Sequence, residues 1–229
     1  VLTLANAAFA SEDSGVRVII GGVAATAAGS RADIEVVVMA IAMAVADHAG
    51  YHGDFEDMPY SRALAETQQH DNVLILPIAR TPAREAHFQW LIPLFEDGYV
   101  IVTRPNTAPI LGGKAKIGVV RSSAAEEVAK DLGYENLEQS IDDLQNIAML
   151  MHGHIGAWIA SRARATLLIR EAGYDPGEFN VSILPPRYTI YLAASPRLDA
   201  AEGERWRAAG EAVRSDGTLD ALLRQYPIQ

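Results

Sequence analysis

Arg84 is the side chain whose surroundings best suit it to holding an anion. A buried strand, Val73-Leu74-Ile75-Leu76 running to Ile78, leads into Thr81-Pro82-Ala83-Arg84, where Thr81 reads as a helix cap and Pro82 as the first helical residue. A guanidinium in that first turn lies beside free backbone N–H groups and the positive end of the helix dipole. It can take a planar carboxylate through two parallel hydrogen bonds. The plainer alternative is a solvent-facing arginine paired with Glu85 or Glu56. Ser122 and Ser123 form a second place of this kind, because they follow a strand and open a helix, so hydroxyls and amide N–H groups converge there. Ser123 can equally be a cap satisfied by Glu126 three residues on, and the two roles are compatible.

Other chemistries are poorly represented. His152-Gly153-His154 could begin a metal site, but the spacing supplies no third ligand, and ordinary solvated histidines are the default. Gly21-Gly22 and Gly112-Gly113 lack the patterns that cradle phosphates. There is no HExxH, no GxSxG and no paired-carboxylate spacing. Cysteine is absent, which excludes thiol nucleophiles, disulfides and thiolate zinc sites.

The elements that must hold these side chains alternate. Arg17–Val23 reads as a buried strand, Ile34–His48 as a helix apolar on nearly all sides and stopped by Gly50, and Phe55 as the end of a short strand. Asp57-Met58-Pro59 starts a helix in which Tyr60, Ala63, Leu64 and Thr67 share a face. Tyr99–Val102 is a further strand, so the first part of the chain has a βαβαβ pattern. A second series follows: strand Lys116–Val120, a helix from Ser123 to near Gly133, a helix from Ser140, strand Ile155–Ile159, helix Ser161–Glu171, and strands Val181–Leu184 and Tyr188–Ala193. Helices over Ala200–Arg214 and Leu219–Tyr226 close the chain.

The 229 residues suit two α/β units better than one core. The net charge of −10 would repel nucleic acid and anionic membrane, so neither is expected as a partner. The charge is uneven: residues 11–103 carry 5 basic and 13 acidic side chains, residues 104–187 carry 9 and 10, and 188–229 carry 5 and 6. Shifts near 103 and 188 therefore suggest two units. At the amino terminus, apolar residues 1–10 end in Ala8-Phe9-Ala10 and give way to polar Ser11-Glu12-Asp13, which reads as the tail of a signal peptide; an edge strand over 1–5 is the alternative. The longest apolar run, Val36–Ala46, is too short to span a bilayer.

With the elements in place, residues 17–227 resemble the periplasmic or extracellular solute-binding proteins of ABC transporters, in the polar amino-acid branch (bacterial solute-binding protein family 3). The resemblance rests on Asn72 through Glu85 followed by Phe88-Gln89-Trp90-Leu91-Ile92-Pro93, on Met58-Pro59-Tyr60-Ser61-Arg62-Ala63-Leu64, on Ile117 through Ala124, and on Val213 through Leu219 with Tyr226, all in family order. It implies a type II periplasmic binding fold: two α/β lobes, each with a mixed five-stranded sheet, joined by two crossings near 99–104 and 188–193. Residues 1–10 would be the signal remnant, 11–102 with 192–229 lobe one, and 103–191 lobe two with the hinge strands. Function by resemblance is capture of a small carboxylate-bearing solute, an amino acid or derivative, by hinge closure, followed by docking on a membrane ABC permease. A periplasmic monomer without cofactors is expected.

The resemblance also implies the site residues. Arg84 would clamp the ligand's carboxylate, with Ser123 and Ser122 holding it from the opposite lobe and Arg80 nearer the cleft mouth. Carbonyls at Ile78 and Ala79 would accept from the ligand's ammonium. Two departures from the family stand out. Gly156 and Ser161 occupy the positions where the family has acids for the ammonium, and the aromatic that follows the first strand is missing from Ala24–Ala28, so Tyr60 or Trp158 would have to supply that face. Ser122 stands where the family usually has glycine. Two alternatives belong to other functional classes. One is a cyclohexadienyl dehydratase-like enzyme, with Glu35, Asp57 or His87 as the general acid or base. The other is a ligand-sensing domain, against which the chain's end at Gln229, soon after the last helix, is taken to argue.

Overall fold

The computed structural model describes residues 15–22, 33–105 and 115–225. The expected signal remnant, the connection at 24–32, most of the loop at 104–113 and Tyr226 lie outside the described residues, as does the side chain of Glu35. Along the chain run β1 (Arg17–Gly21), α1 (Asp33–Ala49), β2 (Phe55–Met58), α2 (Tyr60–Gln69), β3 (Val73–Ala79), a 3-10 helix (Pro82–His87) and β4 (Gln89–Thr103). Then come β5 (Ile117–Val120), α3 (Ala124–Asp131), β6 (Leu137–Ser140), α4 (Asp143–Met151), β7 (Ala157–Ser161), α5 (Arg162–Glu171), a 3-10 turn (Pro176–Glu178), β8 (Asn180–Ala194), α6 (Ala200–Ser215) and α7 (Thr218–Gln225).

The strands order as β2-β1-β3-β8-β4-β7-β5-β6. β4 and β8 are each 15 residues long and run antiparallel along their whole lengths. The early half of β4 and the late half of β8 extend the β2-β1-β3 group, whereas Tyr99–Val102 of β4 pairs with β7 and beyond it β5 and β6. Each lobe therefore owns a mixed five-stranded sheet, and the two long strands belong to both. Their register shifts between Asp97, opposite Tyr188, and Tyr99, opposite Leu184. A bulge of this sort bends and twists the strand, and here it falls where one lobe passes into the other.

Packing follows the apolar pattern. In the first lobe Val37, Val38, Ile41 and Val45 of α1 bury against Trp206, Ala209 and Val213 of α6, while Ala63 and Leu64 of α2 cover the other face of the sheet. In the second, Val128 of α3 packs on Val119 and Ile159, and Ile147 and Leu150 of α4 pack on Trp158. A buried aliphatic side chain of this size is worth about 1.5–3 kcal/mol, so these four clusters carry most of the fold's stability.

Some elements differ from the sequence expectation. Val181–Leu184 and Tyr188–Ala193 are one strand, and β4 begins at Gln89, ten residues before Tyr99. Proline marks the difference: Pro93 sits between register shifts of β4, a place where a missing N–H is tolerated. The segment after Thr81 is a 3-10 helix, not an α-helix. β6, Leu-Glu-Gln-Ser, is too short and polar to stand out in the sequence. β7 ends at Ser161, which the sequence placed inside the following helix.

Candidate functional site

A cavity of about 130 Å³ lies between the lobes, with walls from both. Gly21 and Gly22 close β1 on one side. A Cβ at Gly21 would come within 3.2 Å of the Tyr60 ring, so glycine makes room for that ring to lie against the end of the strand. Val120, Ser123 and Ala124 line the opposite wall, and Asp97, Tyr99 and Ser161 line it from the hinge side.

Arg84 stands at the seam between the lobes and is 4% exposed. Its Nη1 donates to the Tyr60 hydroxyl at 3.0 Å and to the Ala79 carbonyl at 3.4 Å, both in the first lobe. Its Nη2 donates across the seam to the Ser122 carbonyl at 2.9 Å. Its Nε donates to Oε1 of Glu127, on α3 of the second lobe, at 2.7 Å, and Oε2 of the same carboxylate accepts from the Thr81 hydroxyl at 2.5 Å. Burial works against the guanidinium's charge, but the Tyr60 oxygen and the Glu127 carboxylate outweigh it, and the pKa stands above the usual arginine value. The chain's own carboxylate thus occupies the arginine that the resemblance reserves for a ligand.

Ser122 and Ser123 lie where the strand-to-helix connection was expected. Ser123 caps α3, its hydroxyl accepting from the Glu126 N–H at 3.3 Å, and it lines the cavity. The Glu126 carboxylate reaches one residue further back than in a capping box, to the Ser122 N–H at 2.7 Å. Ser122 sits at φ 59, the left-handed region that glycine enters most easily, which explains physically why glycine suits this position. Its carbonyl meets Arg84, and its side chain does not line the cavity.

The other expected residues separate. Tyr60, Ala79 and Ser161 line the cavity. Arg80 is exposed and paired with Glu85, stacked 5.5 Å from the Trp90 and Tyr191 rings. Ile78 is fully buried, with its backbone in the ladder opposite Tyr191. Trp158 is wholly buried in the second lobe's core and stands away from the cavity wall, its indole N–H donating to Asp143 at 3.0 Å. Asp57 and His87 are exposed and do not line the cavity. Among the described residues no group of three His, Asp or Glu side chains is arranged to hold a metal.

Three acids that the sequence did not single out line the cavity: Asp97, Asp142 and Asp143. Asp97, 5% exposed, accepts from the Ser161 hydroxyl at 2.5 Å and from the Gly98 and Ala163 N–H groups at 2.8 and 3.3 Å. Burial raises its pKa against those bonds and the more distant Arg162. Asp143 is raised by burial too, opposed by Arg164, whose Nε lies 3.6 Å away, and by the Trp158 indole. Burial holds the Tyr99 hydroxyl well above the normal tyrosine value. Asp97 could have been suspected from Glu96-Asp97-Gly98, an acidic interruption between two apolar runs. Glu127 carried no signal beyond being a second acid beside a capping Glu.

No protein-family model and no curated protein sequence matches the chain. Solved structures do. A histidine kinase sensor domain with similarity to periplasmic binding proteins superposes with a TM-score of 0.77 at 15% identity, covering 93% of this chain and 96% of that one. The arginine-, lysine-, histidine-binding protein ArtJ from Geobacillus stearothermophilus gives 0.75 at 19%, with 93% and 96% covered. An ABC uptake transporter substrate-binding protein from Streptococcus pneumoniae, with bound histidine, gives 0.77 at 14%, with 93% and 92% covered. The chain has the two-lobed fold of the type II periplasmic binding proteins.

Proposed function

We propose that this chain is an extracytoplasmic solute-binding protein that closes its lobes around a small solute and presents it, as a monomer, to an ABC permease in the membrane. The observation that carries this reading is the interlobe cavity, lined by β1 and α2 on one side and by the starts of α3 and α4 on the other. A solute held there touches both lobes, and the register shift shared by β4 and β8, which bends the strands between the lobes, is the place for them to turn on one another. The same reading divides the chain into lobes of 11–102 with 192–229, and 103–191 with the hinge strands. Relatives in fold are described as binding arginine, lysine and histidine, which supports a small organic solute.

The resemblance puts a ligand carboxylate between Arg84 and Ser123. Such a ligand binds only if Glu127 leaves Arg84. Capture itself is tested by thermal unfolding over a library of amino acids, carboxylates and amines: a solute at 100 times its dissociation constant adds roughly 2.7 kcal/mol of stability. Small-angle scattering should register compaction on adding the same solute. A library with no stabilising member would overturn the reading.

The likeness to a kinase sensor domain favours one second reading, in which the same closure signals instead of delivering. Uptake of labelled solute by cells lacking the chain separates the two: it falls if the protein feeds a permease and is unchanged if the protein only senses.

A further inference from the structure

A carboxylate ligand gains affinity from a buried arginine only if that arginine is otherwise unmatched. Here it is matched. Arg84 has Glu127 on Nε, Tyr60 and Ala79 on Nη1, and Ser122 on Nη2, and Thr81 holds the second oxygen of Glu127. A ligand carboxylate entering this place exchanges one charge-assisted contact for another, displaces Glu127 from Thr81, and leaves the Glu127 charge without its cation. The exchange yields little net gain.

The charge balance of the cavity itself points the other way. The charged side chains facing it are Asp97, Asp142, Asp143 and Arg164, with the hydroxyls of Tyr60, Tyr99, Ser123 and Ser161. Arg164 answers Asp143. Asp142 caps α4 through the Gln145 N–H at 2.8 Å. Asp97 is buried at the hinge, and among the described residues no ion pair reaches it. A carboxylate held in that state is costly in the empty protein, and a cation placed against it recovers the cost. The rest of the wall, including Val38, Phe95, Ile141 and Ile190, is apolar.

We infer that the cavity takes a compact apolar amine that lacks a carboxylate, its ammonium on Asp97 and Ser161, while Glu127 serves as the resident counter-ion of Arg84. This rests on the solute-binding reading and narrows its solute. The size is bounded by volume: an apolar cavity of about 150 Å³ holds benzene, so about 130 Å³ suits a ligand of about six non-hydrogen atoms. Asp97 also stands next to Ser161, the position at which the acid for an ammonium was expected and not found. The acid is supplied from the neighbouring hinge strand, β4, across the pair Tyr99–Ser161.

Three matched probes test this. Isoamylamine has six non-hydrogen atoms, leucine adds a carboxylate to it, and 4-methylvalerate has the carboxylate without the amine. Titration calorimetry of the full chain should show isoamylamine binding at least tenfold more tightly than leucine, and 4-methylvalerate not at all. Glu127→Gln should shift the leucine-to-amine affinity ratio toward leucine at least tenfold, because Arg84 is then unmatched. Asp97→Asn should abolish amine binding, with circular dichroism confirming that it folds. The wild-type comparison needs no variant, so a misfolded mutant does not shield the idea. Leucine or 4-methylvalerate binding wild-type protein more tightly than the amine overturns the inference. So does failure of every alkylamine from three to eight carbons; if another solute then binds, capture stands and only the amine assignment falls, whereas failure of every solute removes both.

Discussion

Replacing Glu127 by alanine is the most direct perturbation of the seam between the lobes. The substitution removes the carboxylate on Arg84 Nε and the acceptor of the Thr81 hydroxyl, while the Arg84 side chain, 5% exposed when Glu127 is present, keeps its bonds to Tyr60, Ala79 and Ser122. Removing one partner of a fully buried ion pair costs about 3–5 kcal/mol, chiefly through the stranded charge. The Glu127 side chain is 24% exposed, so water reaches the vacated place and screens part of that cost. An expected loss of about 2–3 kcal/mol remains, which for a chain of this size is a Tm drop of about 4–12 °C. Urea unfolding followed by tryptophan fluorescence measures it. Arg84→Met in the Glu127→Ala background should cost far less than Arg84→Met alone, since no charge is then left behind. Acetate at high concentration should restore part of the stability of Glu127→Ala and none of that of the double variant. A loss below 0.5 kcal/mol, or two single effects that simply add, would refute the view that Glu127 is the counter-ion of Arg84.

Asp97→Asn tests the buried acid without ligand. The folded-state pKa of Asp97 is raised by burial above its unfolded value of about 3.9, so the folded protein holds the proton more tightly, and stability from this group falls as pH rises through that window. Asparagine removes the slope; the gap in Tm between variant and wild type should be smallest near pH 4 and widen toward neutrality, and parallel curves would contradict the assignment, with Arg162 and Tyr99 the other groups coupled to this carboxyl. Ser122→Gly should raise stability by up to about 1 kcal/mol in denaturant unfolding, because φ 59 suits glycine and both hydrogen bonds of Ser122 are made by its backbone. Gly210→Ala should lower stability by about 1–3 kcal/mol despite alanine's helix preference, since the new Cβ would lie within 2.7 Å of three Ile92 side-chain atoms; an unchanged midpoint would mean that α6 can lift off β4 freely.

What the sequence made readable was the alternation of elements and the pieces whose chemistry is local. Arg84 follows a strand of four successive apolar residues and a Thr-Pro start, and Ser123 with Glu126 is a cap with its companion acid; both signals need only neighbours a few residues away. The long-range half was hidden. Nothing in Ala125-Glu126-Glu127-Val128 says that the second acid crosses to an arginine 43 residues earlier. The reach depends on how far the lobes approach, and approach is a property of β4 and β8 together. Trp158 shows the opposite error. A tryptophan near an expected ligand position looks like a stacking face, but its place in β7 turns it into the second lobe's core, where only its N–H, through Asp143, touches the cavity wall.

The Arg84–Glu127 contact also bears on how the lobes balance between parted and closed. Arg84 sits between β3 and β4 in one lobe and Glu127 on α3 in the other, so the ion pair, the Thr81 bond and the Arg84 bond to the Ser122 carbonyl are made only when the lobes meet. A solute can shift that balance only by its differential affinity for the closed form. In a protein whose arginine awaits a ligand carboxylate, the closing contacts arrive with the ligand; here they belong to the chain and act in its absence. On the proposed closure these contacts raise the closed population of the solute-free protein without completing the shift, which lessens the reduction in apparent affinity that comes from a scarce competent state. The solute then needs to supply only the neutralisation of Asp97 and the burial of its carbon body, which is a task a ligand of about six non-hydrogen atoms can meet.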